Sequence, residues 1–574
     1  MTIGSTSSAK RDPHPAWAQR LLPSIGDLIF VVLLGLLAYS ALSVRLLGDA
    51  GIGWHIRTGQ LILATHTIPR VDPFSSTMAG QPWFAWEWLY DALVGWLDRT
   101  AGLNGVVLFT ASIIALTFAW AFRLLMCRGT NFLVALILVL LATSASMIHF
   151  LARPHVVSWL LTVACFWILE SSDKKPANAG KRAPGWSLWL LPPLLVVWVN
   201  IHGGFLVAFV LLGIYWLSAV WQWFRLAEDR FEPVLQKIRA GKRARGLAAV
   251  GIVSALTTLI NPYGWKLYVH IYRYLSNRFL MDHIDEFQSP NFHGVAQKCF
   301  AVLLMLTLVA VAAKSRQASP VQPIGVQSSE VLIVLFAVYS GLYAARNIPV
   351  SALLLILVIG PQLSNALETF AATLSKRRMD SSSLGAPSPH FLQRMQVIES
   401  SLHGHIWPIA AILFTCWIAF HAGKLGTKQL MNAHFDTKRF PVGAVSYLEQ
   451  RNVQGPIFTP DFWGGYLIYR LYPQTKTVID DRHDFYGEKF LKSYLRTMHV
   501  EPAWKDFLDQ HDVHYIVVPK DSALANILLE TPAWQLIYSD NVGSAFARSP
   551  APAQESGKSA PRSEVANPFT LTAP

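Results

Sequence analysis

The stretch Gly48-Asp49-Ala50-Gly51-Ile52-Gly53-Trp54-His55-Ile56-Arg57 puts a carboxylate, an imidazole and a guanidinium close together, directly after the first long apolar segment. A carboxylate at such a boundary can act as general base toward an acceptor hydroxyl or amide. It can equally hold a divalent cation that neutralises a phosphate leaving group. His55 and Arg57 suit phosphate, the guanidinium in bidentate fashion. Capping is the structural alternative for Asp49, but the C-terminal end of a helix has no use for a carboxylate, so the chemical reading leads. Downstream, Asp72 and the run Trp83-Phe84-Ala85-Trp86-Glu87-Trp88-Leu89-Tyr90-Asp91 add further carboxylates. Glu87 and Asp91 stand one turn apart on an expected helix, and the tryptophans read as an aromatic belt at a membrane interface.

Other polar groups recur at the ends of apolar segments. Apart from an acidic cluster of Asp282, His283, Asp285 and Glu286, they are Arg153 and His155, His202 and Arg346. Each alone reads as a helix cap or a contact to lipid phosphate. The acidic cluster is open between second metal ligands, a lid and a solvated loop. As a set on one face they predict a shared polar cavity, because charges at membrane depth are costly unless they face a cavity or a partner.

Composition states what must position these groups. Of 574 residues, 52% are hydrophobic and only 14% charged, against roughly 25% charged in soluble domains. Mean hydropathy is +0.34. The chain reads as a polytopic α-helical membrane protein with about eleven spans: 24–46, 104–125, 131–149, 156–170, 187–200, 204–224, 247–260, 295–313, 329–345, 348–365 and 405–424. The basic basal connections (Lys174 to Arg182, Arg225 to Arg245, Lys314 and Arg316, Lys376 to Arg378) then all fall on the cytoplasmic side, given a cytoplasmic N-terminal segment 1–23 with no cleavage site. The net charge of +13 is thereby topology, and nucleic acid is excluded as a partner. The opposite side holds the first outer loop, 47–103, and the other polar loops. Cys127, Cys165, Cys299 and Cys416 all lie in apolar runs and read as packing. No repeat, P-loop or GxGxxG word is present, which disfavours a nucleotide-driven pump.

From about Lys424 the pattern changes to short strands and amphipathic helices, predicting an extracytoplasmic α/β domain over 425–548, followed by a disordered tail, 549–574. Strands are expected at 456–459, 477–479, 514–518, 534–539 and 542–547. Two loops follow strands, Asp461-Phe462-Trp463-Gly464-Gly465-Tyr466 and Asp480-Asp481-Arg482-His483-Asp484. Loops at the carboxyl ends of strands are common ligand sites, so Asp461, Trp463 and Asp481 are acceptor-site candidates. Capping of the next helix is the alternative for Asp480-Asp481.

These features together resemble the GT-C superfamily of membrane glycosyltransferases, which use sugars linked to polyprenyl or dolichyl phosphate. Asp49 with Trp54-His55-Ile56-Arg57 resembles the Asp-x-x-Tyr-His-x-Arg element of the oligosaccharyltransferase catalytic subunit. Asp461 to Tyr466 is similar to that subunit's Trp-Trp-Asp-Tyr-Gly acceptor motif in altered order. The words Trp54 to Gly59, Asp72 to Ser75, Glu87 to Leu89, Arg153 to His155, Asn200 to Gly204 and Asn261 to Gly264 resemble those of a family of bacterial membrane proteins. The resemblance implies a multi-pass protein of the bacterial cytoplasmic membrane with a lipid-linked sugar donor and Asp49 as catalytic residue. His55, Arg57, Arg153, His155, His202 and Arg346 would bind the donor phosphate. Asp72, Glu87, Asp285 and Glu286 compete for the place of a second carboxylate. A cation, if one is used, would be Mg or Mn on Asp49. A non-catalytic lipid- or glycan-binding protein of the same fold, active in envelope assembly, is the alternative. A transporter comes third, since transporters place coupling charges at mid-membrane on broken helices.

Overall fold

The computed structural model describes residues 21–172, 185–226, 231–317, 325–378 and 405–549, together with 19, 398–399 and 401–402. The tail beyond 549, the start of the N-terminal segment and most of the expected linkers at 171–186, 315–328 and 379–390 lie outside them. The helices are α1 (Ile25–Tyr39), α2 (Leu42–Leu46), α3 (Gly51–Thr65), α4 (Trp88–Cys127), α5 (Phe132–Ser146), α6 (His155–Ser171), α7 (Leu191–Val199) and α8 (Leu206–Arg225). They continue as α9 (Phe231–Thr257), α10 (Lys266–Ser276), α11 (Arg278–His283), α12 (Val295–Gln317), α13 (Gly325–Tyr343), α14 (Ile348–Arg378) and α15 (Ile406–Phe420).

Among the described residues five helical stretches are long and apolar enough to cross a membrane: Trp88–Cys127, Phe132–His149, Gly203–Arg225, Val295–Ala313 and Ala345–Ala371. Five shorter apolar helices fall on five more of the expected spans, and 247–260 overlaps the end of α9. Helix α1 starts in a capping box: Ser24 accepts from the Asp27 amide, and Asp27 accepts from the Ser24 amide at 2.9 Å. Gly102, at φ 61°, breaks α4, so its first part lies outside the stretch 104–125.

Segment 48–103, expected as a loop, contains a whole helix. The physical reason lies in its glycines. A Cβ on Gly59 would meet the Asp91 carbonyl oxygen at 1.8 Å, and one on Gly53 would meet the Gly465 carbonyl oxygen at 2.1 Å. Bare backbone therefore lets α3 press against α4 on one side and against α17 (Asp461–Leu471) on the other. The spacing that reads as a flexible loop is the spacing of two close helix crossings.

The C-terminal part also contains α16 (Val442–Gln450), α18 (His483–Tyr486), α19 (Glu488–Met498), α20 (Trp504–Gln510) and α21 (Ala523–Leu529). After a small antiparallel pair, β1 (Lys424–Leu425) and β2 (Lys428–Gln429), it builds a four-stranded sheet. The strands are β3 (Ile457–Phe458), β4 (Tyr515–Pro519), β5 (Trp534–Ser539) and β6 (Gly543–Arg548), in the order β3-β4-β6-β5. Only β3 and β4 run parallel. The expected strand 477–479 is reduced to isolated bridges, because Thr477 divides itself between Ile457 and Ser75. The Ser76 amide donates to the Thr477 carbonyl at 2.8 Å, and Thr77 Oγ1 to the Val478 carbonyl at 2.7 Å. The first connecting segment is thus laced onto the C-terminal sheet, and one apolar core runs from Phe30 through the bundle to Val517 and Ala545.

Arg482 locks that junction. It donates to Asp480 at 2.7 Å from both Nε and Nη2 and to Asp72 Oδ1 at 2.8 Å from Nη1. All three side chains are buried, and Trp83 lies 4.7 Å from the guanidinium. Of the cysteines, Cys165 is buried as expected. Cys127 is exposed, at the end of α4.

Candidate active site between the bundle and the C-terminal domain

A cavity of about 390 Å³ opens where the bundle meets the C-terminal domain. Its walls come from widely separated places in the chain, among them Asp49 and His55, Trp83 to Glu87 with Asp91, Arg153 to His155, His202, Ile284 to Phe287, Arg346, and Asp481 to Asp484. The loops expected to share one face therefore do meet around one polar space.

Arg153 lines it and joins two carboxylates. Nη1 donates to Asp49 Oδ2 at 3.0 Å and Nη2 to Asp481 Oδ2 at 2.7 Å. The remaining oxygens are also engaged: Asp49 Oδ1 accepts the Gly51 amide at 2.7 Å and Asp481 Oδ1 accepts Trp54 Nε1 at 2.9 Å. Asp49 thus stands one residue before the Ala50 N-cap of α3 and accepts the first amide of that helix. Burial pushes the Asp481 carboxyl up to about 6, with Arg153 opposing and Asp49 reinforcing the rise.

The second group is built from imidazoles. His55 Nδ1 meets Asp91 Oδ1 at 2.6 Å, and its ring lies 3.6 Å from that of Trp54. Its Nε2 is 3.9 Å from Glu87 Oε2. From the other side His202 Nε2 approaches Glu87 Oε1 at 4.0 Å. The His202 tautomer follows from its neighbours. The Gly204 amide donates to Nδ1 at 3.0 Å, and Ser158, which itself accepts Trp198 Nε1 at 2.8 Å, gives its hydroxyl proton to the same nitrogen at 2.8 Å. Nδ1 is therefore the acceptor, and Nε2–H faces Glu87. Burial, helped by the Arg346 and Arg153 charges, holds His202 well below the ordinary imidazole range, and burial with Arg153 does the same for His55. Burial raises Glu87 to about 8, with Asp484 adding to the rise and Arg153 and Arg346 opposing it.

At the third wall, burial alone would raise the Glu286 carboxyl, but Arg153 and Arg346 outweigh it and hold it at about 2. Arg346 lies over the Phe287 ring at 4.5 Å, and among the described residues no carboxylate oxygen is within 4.0 Å of it. Arg439 lines the cavity in the same unpaired condition. Sequence reasoning missed it, although Lys438-Arg439 departs from the one-sided placement of the other basic pairs. His483, Asp484 and Phe462 also line the cavity and were not singled out.

Four expected site residues are elsewhere. Arg57 stands two residues from His55, about 200° around the helix, and turns away. It donates from Nε to the Tyr469 carbonyl at 2.8 Å and from Nη1 to Gln60 at 2.9 Å. Asp72 is buried in the Arg482 clasp and accepts the Ser75 amide at 2.9 Å. Trp463 is core, its Nε1 donating to the Arg439 carbonyl at 2.9 Å. Asp461 lies behind the wall, bonded to His483 Nε2 at 2.6 Å and to the Tyr494 hydroxyl at 3.0 Å.

The residues as placed do not fit a divalent cation. Among the described residues no three His, Cys, Asp or Glu side chains converge as ligands, whereas Mg-type sites gather several oxygens. The position between Asp49 and Asp481 is filled by the Arg153 guanidinium.

No family model matches the sequence, and no curated protein matches it. Solved structures do. The likeness is one of fold. In particular, the chain is similar to the oligosaccharyltransferase of Archaeoglobus fulgidus. In its apo form the TM-score is 0.51 at 11% identity, over 92% of this chain and 74% of that one. Tethered to an acceptor peptide containing an NVT sequon, it matches with a TM-score of 0.52 at 13% identity, over 92% and 73%. ArnT from Cupriavidus metallidurans bound to undecaprenyl phosphate is matched with a TM-score of 0.47 at 13% identity, over 91% and 96%.

Proposed function

We propose that this protein is a glycosyltransferase of the bacterial cytoplasmic membrane. It would move a sugar from a polyprenyl-phosphate-linked donor to an acceptor on the outer face, with the N-terminus cytoplasmic and the 425–548 domain periplasmic. The observation that carries the reading is that two guanidiniums without a carboxylate partner among the described residues, Arg346 and Arg439, line a cavity that also holds a carboxyl between two imidazoles. A phosphate needs charged donors not already spent on carboxylates, and a transfer needs a proton acceptor beside it. The fold of an oligosaccharyltransferase supports the same reaction class.

In the transfer, the donor phosphate docks on Arg346, with Arg439 at the rim and Arg153 able to leave Asp49 for it. Asp49, with both oxygens engaged, keeps Arg153 in place until then. The anomeric carbon gains a bond to the acceptor and loses its bond to the phosphate oxygen, which leaves as polyprenyl phosphate. The neighbouring domain, through Asp481, Asp484 and Phe462, shapes the acceptor side.

The test is release of polyprenyl phosphate from a panel of polyprenyl-phosphate-linked hexoses and pentoses by membranes carrying the wild type, Arg346→Ala or Asp49→Ala. A charge-assisted hydrogen bond contributes about 1.5–3 kcal/mol, so Arg346→Ala should lose roughly 10- to 150-fold in kcat/KM. Release that is the same in all three proteins would sink the proposal.

A further inference from the structure

We infer that Glu87 is the group that takes the acceptor's proton, poised between the imidazoles of His55 and His202. The inference rests on the sugar-transfer reading above and names its general base.

Three observations carry it. First, the Glu87 carboxyl lines the cavity, is only 13% exposed, and among the described residues makes no hydrogen bond through its side chain. Asp49 and Asp481, by contrast, have every oxygen occupied. Asp285 and Glu286 stand on the Arg346 wall, where the donor phosphate is placed. Second, the gaps of 3.9 and 4.0 Å to the two Nε2 atoms are too long for direct bonds, and widening either by about half an ångström admits a hydroxyl or water bonded to both carboxyl and imidazole. Third, both rings are held from behind, His55 by Asp91 and His202 by the Gly204 amide and Ser158, so neither can rotate to take Glu87 for itself. The Asp91 Oδ2 atom is left buried with no partner, which leaves that carboxyl free to follow the charge on His55.

The groups that face Glu87 come from every surrounding element. They are His55 on α3, Tyr90 and Asp91 on α4, His202 ahead of α8, Arg153 ahead of α6, Arg346 ahead of α14 and Asp484 from the C-terminal domain. Arg153 and Arg346 are the two that favour its ionised form. A donor phosphate binding to them spends their charge, so the carboxylate becomes a stronger base when the donor is in place. As the acceptor attacks the anomeric carbon, its O–H or N–H proton passes to Glu87. The electron pair of the cleaved C–O bond stays on the phosphate, and the proton later leaves through the cavity to water. His202 Nε2–H steadies the acceptor oxygen, and Asp91 positions His55.

The experiment measures polyprenyl phosphate release against pH for wild type, Glu87→Gln, Glu87→Asp and His202→Gln, in membranes with the full chain. A base with its carboxyl raised to about 8 gives a rate that climbs as pH passes that value. Glu87→Gln should lose roughly 100-fold or more in kcat, with KM little changed and the rising limb gone. Glu87→Asp should keep a limb at a shifted pH, and His202→Gln should move the limb without abolishing it. Infrared difference spectra at neutral pH, wild type minus Glu87→Gln, should contain a protonated-carboxyl band, independently of any donor. A Glu87→Gln protein that keeps its rate and its limb overturns the inference alone. Wild-type membranes that release nothing from any donor overturn the transfer reading, and the base with it.

Discussion

Replacing Arg482 by Met tests the junction on which the cavity depends. The guanidinium makes three side-chain bonds, two to Asp480 and one to Asp72, and all three side chains are at most 3% exposed. Methionine fills much of the same space but leaves two buried carboxylates without a cation. Breaking a buried pair by removing one partner costs about 3–5 kcal/mol, because the remaining charge stays uncompensated. Since 71–82 is otherwise held to the C-terminal part by Ser76 and Thr77 on residues 477 and 478 and by Phe74 against Tyr472, the cost should emerge there as local opening. At about 1.4 kcal/mol per factor of ten, the opened population rises roughly 140- to 3,700-fold. Thermolysin cleavage within 71–82, under conditions where reclosing outpaces cutting, reports that population directly. Adding Asp72→Asn and Asp480→Asn to the Arg482→Met chain removes the orphaned charges and should recover part of the protection. If Arg482→Met is cut within about threefold of wild type, or if the triple variant opens more than the single, the clasp argument fails.

Other outcomes follow from the same geometry. Gly53→Ala forces a methyl to 2.1 Å from the Gly465 carbonyl and should destabilise by about 1–3 kcal/mol or more, whereas Gly213→Ala, with nothing within 4 Å, should not lower Tm in detergent. Arg57→Met should lower Tm through loss of the Tyr469 carbonyl bonds while leaving KM for the lipid-linked sugar unchanged; a changed KM would return Arg57 to the site. Burial alone would lower His483, but the hydrogen bond and charge of Asp461 outweigh it and raise the imidazole above its ordinary value. Its contribution is therefore full below the unfolded value and is lost as pH rises through the folded one. The Tm difference between wild type and His483→Gln should accordingly shrink from about pH 6 toward pH 9, and a difference that grows with pH would contradict the pairing.

The amino-acid order alone determined the class of this protein. A chain with so few charges and such long apolar runs can satisfy its backbone in lipid only as helices, and the charges it does keep at helix ends must face a common polar space. That put Arg153, His155, His202 and Arg346 on one face, and the structure lines one cavity with them, adding Asp49 and Glu286. Short apolar runs between turn residues located the four strands of the C-terminal sheet within a residue or two, although 477–479 makes only isolated bridges. What only the tertiary structure decided is which partner each polar group meets. Gly53 and Gly59 look like loop residues until two other helices are seen resting on them, and that contact creates α3. Once α3 exists, helical geometry sends His55 into the cavity and Arg57 out of it. Asp49 is tied to Asp481 through Arg153 across more than four hundred residues of chain. Glu87 gains two imidazole neighbours from α3 and from the turn before α8. Pairings of that kind follow from non-local packing, on which local sequence spacing carries no information.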